Sequence, residues 1–187
     1  NIGMGRYAFQ NLTSGARNVG IGQSALNANT TASDNTAVGD NAMAANTTGA
    51  NNVAIGNYAL DANTTAASNT AVGYNALTAN TTADHNTAVG RDALTANTTG
   101  TQNTSLGSNS MSVNTTGDNN VAIGYAALDA NTTADYNTAV GTSALSANTT
   151  GTRNTAVGSS ALALITGNTD STAVGYAALG SNTANRN

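Results

Sequence analysis

The sequence predicts an all-β fold, a parallel β-solenoid (β-roll) of eleven 17-residue coils. Three observations predict it: a repeat of constant length, an alternation of side chains with period two inside the repeat, and a block of turn-forming residues that closes it. The 187 residues divide into eleven rows of 17 without insertion or deletion, so we number the coil positions 1 to 17 from Asn1. We expect residues 1–187 to form a single repeat array, an internal segment of a longer fibrous protein.

Each coil begins with a predicted strand. Positions 2 and 4 are apolar or β-branched in every row, whereas position 3 is Gly, Ala or Ser. Alternation with period two indicates a strand with one packed face, and we expect the large position-4 side chains to lie in the core. The predicted core residues at position 4 are Val38, Ile55, Val72, Val89, Ile123 and Val140.

The strand is predicted to end at position 5, which is Gly in all eleven rows. A glycine there supplies a bend, or a close approach of two backbones that a Cβ would block. The bends include Gly39, Gly56, Gly73, Gly90, Gly124 and Gly141. A short Ala-Leu segment then contributes the second large core residue, at position 9, and positions 12 to 17 have turn chemistry. The position-9 core residues include Met43, Leu60, Leu77, Leu94, Leu128 and Leu145.

Coils that stack in parallel place like residues above like, at the strand spacing of about 4.8 Å. Position 1 is Asn in ten rows and position 13 is Thr in all eleven, from Thr13 to Thr183, so both columns are predicted to form hydrogen-bonded ladders. An insertion of one residue would move every column out of register. The ladder residues named on this basis are Asn35, Asn52, Asn69, Asn86, Thr47, Thr64, Thr81 and Thr98.

The composition excludes several classes of protein. Only 7% of residues are charged and the net charge is −4, so nucleic acid has no basic patch to bind. There is no Cys, and no apolar run approaches the roughly 20 residues of a membrane span. With one His, no Lys and no Glu, we expect no enzymatic activity and no cofactor, and no membrane contact in this segment.

Few polar residues are candidates for a chemical site. His85 lies at position 17, where other rows carry Asp, Asn, Gln or Arg, which indicates a solvated turn. Asp118 and Asp135 share position 16 in adjacent coils, but Ca²⁺ needs six or more oxygens, so two exposed carboxylates are the favoured interpretation. Asn-Thr-Thr glycosylation sequons also recur, and a repeated turn explains them more simply. They begin at Asn29, Asn46, Asn63, Asn80, Asn97, Asn114, Asn131 and Asn148.

Two features suggest surface contacts. Tyr74, Tyr125 and Tyr176 share position 6, just after the bend, where an outward ring would contact a ligand and an inward ring would pack on the next coil. In row ten, Ile165 replaces the position-12 Asn, and Leu12 occupies the same position in row one. These apolar turns indicate either contact with a partner or adjacent chain, or neutral drift.

Three coils carry Asn-Val-(Ala/Gly)-Ile-Gly, at residues 18–22, 52–56 and 120–124, and the others carry Asn-Thr-Ala-Val-Gly or a close variant. This pattern resembles the head repeats of YadA-like trimeric autotransporter adhesins. The 17-residue form is also similar to repeats of phage tail-fibre and bacterial surface proteins. The resemblance implies a homotrimer outside the cell or on a virion. The longer Asn-Thr-Thr turn departs from the adhesin pattern, which weakens a carry-over of matrix-protein binding.

On these grounds we expect a structural or adhesive module of an extracellular trimeric fibre, which spaces or presents a binding surface. A phage tail-fibre shaft, a self-assembling extracellular filament and an ice-binding protein remain alternatives. The expected partners are further copies of the chain, as a trimer or an end-to-end filament, and a host or matrix macromolecule.

Overall fold

A computed structural model describes residues 1–181, through which eleven three-residue strands follow one another at coil positions 2 to 4. All eleven belong to one sheet, in which their order is the order of the chain. The strands are β1 (Ile2–Met4), β2 (Val19–Ile21), β3 (Thr36–Val38), β4 (Val53–Ile55), β5 (Thr70–Val72), β6 (Thr87–Val89), β7 (Thr104–Leu106), β8 (Val121–Ile123), β9 (Thr138–Val140), β10 (Thr155–Val157) and β11 (Thr172–Val174).

Every neighbouring pair of strands is parallel and in register at a step of 17 residues. Between β4 and β5, for example, Val53 lies beside Thr70 and Ile55 beside Val72. Coil-to-coil hydrogen bonds continue outside the strands, as in the Thr47 N–H that donates to the Thr64 carbonyl at 2.9 Å. The chain is therefore a parallel β-solenoid, with no helix within residues 1–181. The predicted fold class is confirmed.

Glycine at position 5 performs both of the roles predicted for it. Gly90 has φ +135°, and a Cβ built on it would lie 2.6 Å from the carbonyl carbon of Gly107 in the next coil. The position-5 glycines of the other coils share the positive φ, from +125° to +141°. The bend and the tight coil spacing consequently require the same residue.

The interior is built from small residues on one side and Leu or Met on the other. The position-3 and position-8 alanines are fully buried in the central coils, as Ala71 and Ala76 show. The position-9 side chain fills the space between them, and Leu77 is likewise inaccessible to solvent. The position-9 prediction is confirmed for Met43, Leu60, Leu77, Leu94, Leu128 and Leu145.

The prediction that position 4 lies in the core is wrong. The strand does alternate, but position 3 faces inward, so positions 2 and 4 face outward, and Ile55 is 41% exposed. The physical reason is that the coil is thin: Leu from the opposite side already fills the interior, which leaves room only for Ala behind the strand. The residues whose position is corrected, all half-buried or exposed, are Val38, Ile55, Val72, Val89, Ile123 and Val140.

Left-handed backbone recurs at positions 7, 9 and 17, with φ between +48° and +64°. This conformation suits Asn and Asp, but it disfavours a branched residue such as Leu77 by about 1–2 kcal/mol. Burial of the leucine offsets the strain, since complete burial of a Leu side chain stabilises by about 1.5–3 kcal/mol. These left-handed residues let the chain close a full coil in 17 residues.

The first two coils show how little spare volume the interior has. Phe9 replaces Leu at position 9, and only these two coils carry Gly at position 3. A Cβ on Gly20 would lie 2.8 Å from Cε2 of Phe9, and one on Gly3 would lie 3.0 Å from Cδ2. The larger ring is thus accommodated by two missing methyl groups.

Candidate functional site

The asparagines of position 1 form a continuous buried ladder. The N–H of Asn52 donates to Oδ1 of Asn35 at 2.9 Å, and its own Oδ1 accepts the N–H of Asn69 at 2.9 Å. Its Nδ2 donates to the carbonyl of Ala66 at 2.8 Å, later in the same coil. The same pattern confirms the ladder prediction for the named residues, Asn35, Asn52, Asn69 and Asn86.

A second amide ladder lies at position 12, where the sequence predicted only a turn. Nδ2 of Asn63 donates to Oδ1 of Asn46 at 2.8 Å and to the Ala66 carbonyl at 3.1 Å. The Ala66 carbonyl therefore accepts one hydrogen bond from each ladder. Recurrence of Asn in eight consecutive rows was the available signal, because a solvated turn does not require one residue type. The fully buried members are Asn29, Asn46, Asn63, Asn80, Asn97, Asn114, Asn131 and Asn148.

Burial of these amides bears on the sequons that begin with them. In Asn63 the Nδ2 that would carry a glycan has no exposure and donates two hydrogen bonds. The folded coil consequently has no room for a sugar at this atom. The repeated Asn-Thr-Thr sequence serves the ladder, a role that the explanation by a repeated turn did not include.

Apolar residues close the position-12 ladder at both ends. Ile165 is 1% exposed and belongs to the core cluster, so the interpretation of this side chain as a contact to a partner is wrong. Asn148, in the preceding coil, keeps a buried Oδ1 without a hydrogen-bond partner in the described residues, because isoleucine has no donor. Leu12 occupies the corresponding place below Asn29.

The threonines of position 13 link coils through the main chain. Oγ1 of Thr47 donates to the carbonyl of Thr64 at 3.0 Å, and Oγ1 of Thr64 to that of Thr81 at 3.1 Å. A hydrogen-bonded column is thus confirmed, although its acceptors are carbonyls and not neighbouring hydroxyls. The bonds at Thr81 and Thr98 follow the same pattern, and Thr183 lies outside the described residues.

The acidic candidates act as links between coils. Oδ1 of Asp118 accepts the N–H of Thr101 at 2.6 Å, and Oδ1 of Asp135 accepts the N–H of Asp118 at 2.7 Å. No group of three potential metal ligands of the His, Cys, Asp or Glu type occurs within residues 1–181. His85 is exposed at the left-handed position 17, with φ +61°.

Two carboxyl groups at position 10 sit in a partly buried setting. Burial raises the pKa of Asp61 and of Asp129 above the ordinary value. Oδ1 of Asp129 is buried without a hydrogen-bond partner among the described residues, and such burial disfavours the charged carboxylate, which raises its pKa. By contrast, a hydrogen bond from Arg17 in the preceding coil lowers the pKa of the exposed Asp34.

The outward side chains of positions 2 and 4, here called the strand face, form a charge-free surface along the rod. Position 2 is Thr, Val or Ile, and position 4 is Val, Ile, Leu or Met. Exposure reaches 45% at Leu106 in the middle of the array. Exposed apolar surface of this continuity is uncommon on a monomeric protein.

A second uniform surface is the threonine column at position 14. It is exposed in eight consecutive coils, whereas position 6 holds seven residue types in eleven rows. We call the outward positions 6 and 7 the variable ridge. The members of the threonine column are Thr31, Thr48, Thr65, Thr82, Thr99, Thr116, Thr133 and Thr150.

All three predicted tyrosines lie on the variable ridge with exposed rings. Tyr74 is 51% exposed, Tyr125 57% and Tyr176 84%, and successive members are three coils apart, so the structure does not bring them together. It does place Tyr74 against a ring that is not among the predicted contact residues. Tyr58, at position 7 of the preceding coil, meets Tyr74 edge to face, with ring centroids 6.3 Å apart.

Comparison with known proteins adds no relative. No family model matches the chain, and no curated protein or solved structure is significantly similar to it. Within the described residues there is no helix able to cross a membrane. The surfaces of the rod are therefore the features from which a function can be inferred.

Proposed function

We propose that the chain is a structural and adhesive module of an extracellular trimeric fibre. Three copies associate side by side through the strand face, and the variable ridge stays outside as the surface that is presented. The role is one of spacing and display and involves no catalysis. The resemblance to trimeric adhesin head repeats supports the number of copies and the location outside the cell.

The observation that carries the proposal is the contrast between uniform and variable surfaces. The strand face remains apolar or β-branched in all eleven coils, while the variable ridge has diverged. Solvent alone would place no such restriction on half-exposed side chains such as Ile55 and Leu106. Contact with another copy, which offers the same side chains at the same spacing of about 4.8 Å, explains why they are kept apolar.

The stacked geometry also suits a spacer. Eleven coils at about 4.8 Å each give a rod of about 50 Å. Each coil hydrogen-bonds only to its immediate neighbours, so the length scales with the number of coils while the cross-section stays constant. A fibre that must hold a binding surface away from its anchor needs these two properties.

Native mass tests the association. We expect light scattering on the purified chain to give three times its 18.3 kDa across a range of concentrations. Val140→Lys places a charge on the strand face and should yield monomers. Thr142→Lys adds the same charge on the variable ridge of the same coil and should leave the trimer intact. A monomeric wild type, or equal behaviour of the two variants, contradicts the proposal.

The threonine column favours ice binding as a second candidate. Eight hydroxyl and methyl pairs face solvent at a constant spacing, and Oγ1 of Thr116, the sixth member of the column, has no hydrogen-bond partner within residues 1–181. A regular array of this kind can order water. Thermal hysteresis that Thr116→Lys abolishes would establish the role, and absence of thermal hysteresis in the wild type would remove it.

A further inference from the structure

One patch on the variable ridge combines aromatic rings with a hydrogen-bonded ion pair. The rings of Tyr58 and Tyr74 meet at 88°. Asn75 follows Tyr74 and donates through Nδ2 to Oδ1 of Asp92 at 3.1 Å, and Nε of Arg91 lies 2.8 Å from the other carboxylate oxygen. We propose that this tyrosine patch, which covers coils 4 to 6, binds a neutral, linear polysaccharide.

The two rings provide the stacking surface. Tyr58 is 38% exposed and Tyr74 51%, although burial of either ring would be favourable. An edge-to-face contact covers one face of one ring only, so broad ring surface remains open to the C–H face of a sugar. Each ring also fixes the orientation of the other, which reduces the conformational entropy lost on binding.

The polar side chains provide directed hydrogen bonds without net charge. Arg91 keeps 70% of its side chain exposed, and its guanidinium has further donors beyond the one that Asp92 uses. Asp92 is held by both Asn75 and Arg91, so its carboxylate is already oriented before a ligand arrives. Because the ion pair is neutral as a unit, the patch matches hydroxyl groups better than an acidic or basic polymer.

The shape of the surface favours an extended polymer over a protein partner. The patch spans three coils, or about 10 Å along the rod. A patch this short is too small to supply the roughly 800 Å² that each partner buries in a stable protein–protein interface. The described surface has no cavity, so a ligand must lie along it. The coil spacing of about 4.8 Å is close to the length of one sugar unit, which lets successive sugars meet successive coils. Tyr125, three coils beyond Tyr74, offers a longer chain a further ring.

This inference rests on the proposed function in one respect: the variable ridge must stay outside when copies of the chain associate. Its test uses intrinsic tyrosine fluorescence, since the chain has six Tyr and no Trp. The full chain is titrated with cello-, xylo-, malto- and chito-oligosaccharides, and with polygalacturonate as an acidic comparison.

We expect at least one neutral series to bind, and Tyr74→Ala to weaken its binding about tenfold or more. Tyr74→Phe keeps the stacking ring and should retain most of the affinity. Tyr136→Ala removes a ring that is 60% exposed at position 17, away from the patch, and should bind like the wild type. Circular dichroism of each variant establishes that it is folded.

Three results would overturn the site: no binding of any neutral series, binding that Tyr58→Ala and Tyr74→Ala leave unchanged, or binding of polygalacturonate alone with strong salt dependence. Native mass measured on the same samples separates the two proposals. A trimer that binds no sugar would contradict the proposed sugar-binding site and leave the proposed trimer intact. A monomer that binds sugar through Tyr74 would contradict the trimer and leave the site intact.

Discussion

The two amide ladders run side by side through the same coils and share an acceptor, yet they satisfy different groups. At position 1, Oδ1 of Asn86 accepts the main-chain N–H of Asn103 at 3.0 Å. At position 12, Oδ1 of Asn80 accepts only a side-chain donor, Nδ2 of Asn97, at 3.1 Å. The side-chain oxygens of the first ladder therefore satisfy main-chain N–H groups, whereas those of the second satisfy side-chain amides of the next coil.

This difference explains which substitutions the chain contains. Position 12 holds Leu12 and Ile165 in two coils, and within residues 1–181 the loss of a donor leaves a single amide oxygen of this ladder unpaired, on Asn148. Position 1 is changed only at Ser171, whose main-chain N–H still donates to Oδ1 of Asn154 at 3.0 Å. An unpaired buried main-chain donor is penalised by about 1–3 kcal/mol, so position 1 is the more restricted of the two.

Gly90→Val should have the largest effect, because a side chain at this position pushes coils 6 and 7 apart and both ladders run across that step. The new Cβ would lie 2.6 Å from the Gly107 backbone, and φ of +135° disfavours any β-branched residue. We expect a loss of more than about 4 kcal/mol in the free energy of unfolding and local uncoiling around coils 6 and 7. Hydrogen exchange of these coils measures the uncoiling. The matched control is Gly167→Ala, which meets only Oγ1 of Thr150, at 3.2 Å, and unchanged stability of Gly90→Val would refute the steric argument.

Asn86→Ala should follow, with a loss of about 2–4 kcal/mol. It removes the acceptor of the Asn103 N–H and one of the two donors to the Gly100 carbonyl. Urea unfolding gives the free energy, and faster exchange of the Asn103 amide locates the damage. Protection of that amide at the wild-type level would show that the main-chain N–H of Asn103 does not depend on the position-1 ladder.

Asn80→Ile reproduces at mid-array the residue that position 12 carries at Ile165. We expect a loss of about 1 kcal/mol, since amide hydrogen bonds are exchanged for apolar burial and no main-chain group is orphaned. The Ala83 carbonyl still accepts Nδ2 of Asn69 at 2.9 Å. If Asn80→Ile proved as damaging as Asn86→Ala, the distinction between the ladders would fail.

Neither ladder contains an ionisable group, so any pH dependence of the stability of the fold must arise from groups outside the ladders. Burial raises the pKa of Asp129 above 3.8, which means that the folded chain holds this proton more tightly than the unfolded chain. The stabilisation is complete below the unfolded pKa and is lost as pH rises through the folded pKa. Asp129→Asn should therefore be more stable than the wild type at neutral pH, with the difference vanishing below 3.8. If the stability difference between Asp129→Asn and the wild type grew on acidification, the predicted direction of the pH dependence would be wrong.

Ile165→Asn should have the smallest effect, within about 1 kcal/mol of the wild type. The new amide would supply the missing donor to Oδ1 of Asn148, at the expense of the apolar burial of Ile165. Urea unfolding of the single variant decides whether the free energy of unfolding rises or falls. A loss comparable to that of Asn86→Ala would show that the apolar end of the ladder is a requirement of the fold.

Much of the architecture followed from the repeat alone. A constant 17-residue length requires in-register stacking, and an invariant Gly beside a strand indicates a bend with two close backbones, as Gly90 shows. Stacking also explains why Asn52 and Thr47 could be assigned to ladders, because like residues in parallel coils must lie one above another.

The tertiary structure decided what alternation and spacing leave open. Period two separates Ala71 from Val72, but the cross-section of the whole coil decides which of them faces inward, and Leu77 from the far side leaves space only for the alanine. Burial of Asn63 and the contact of Tyr58 with Tyr74 likewise depend on how the coil closes through left-handed residues. A sequence period specifies which residues are equivalent, whereas inside and outside are set by the volume that the closed coil encloses.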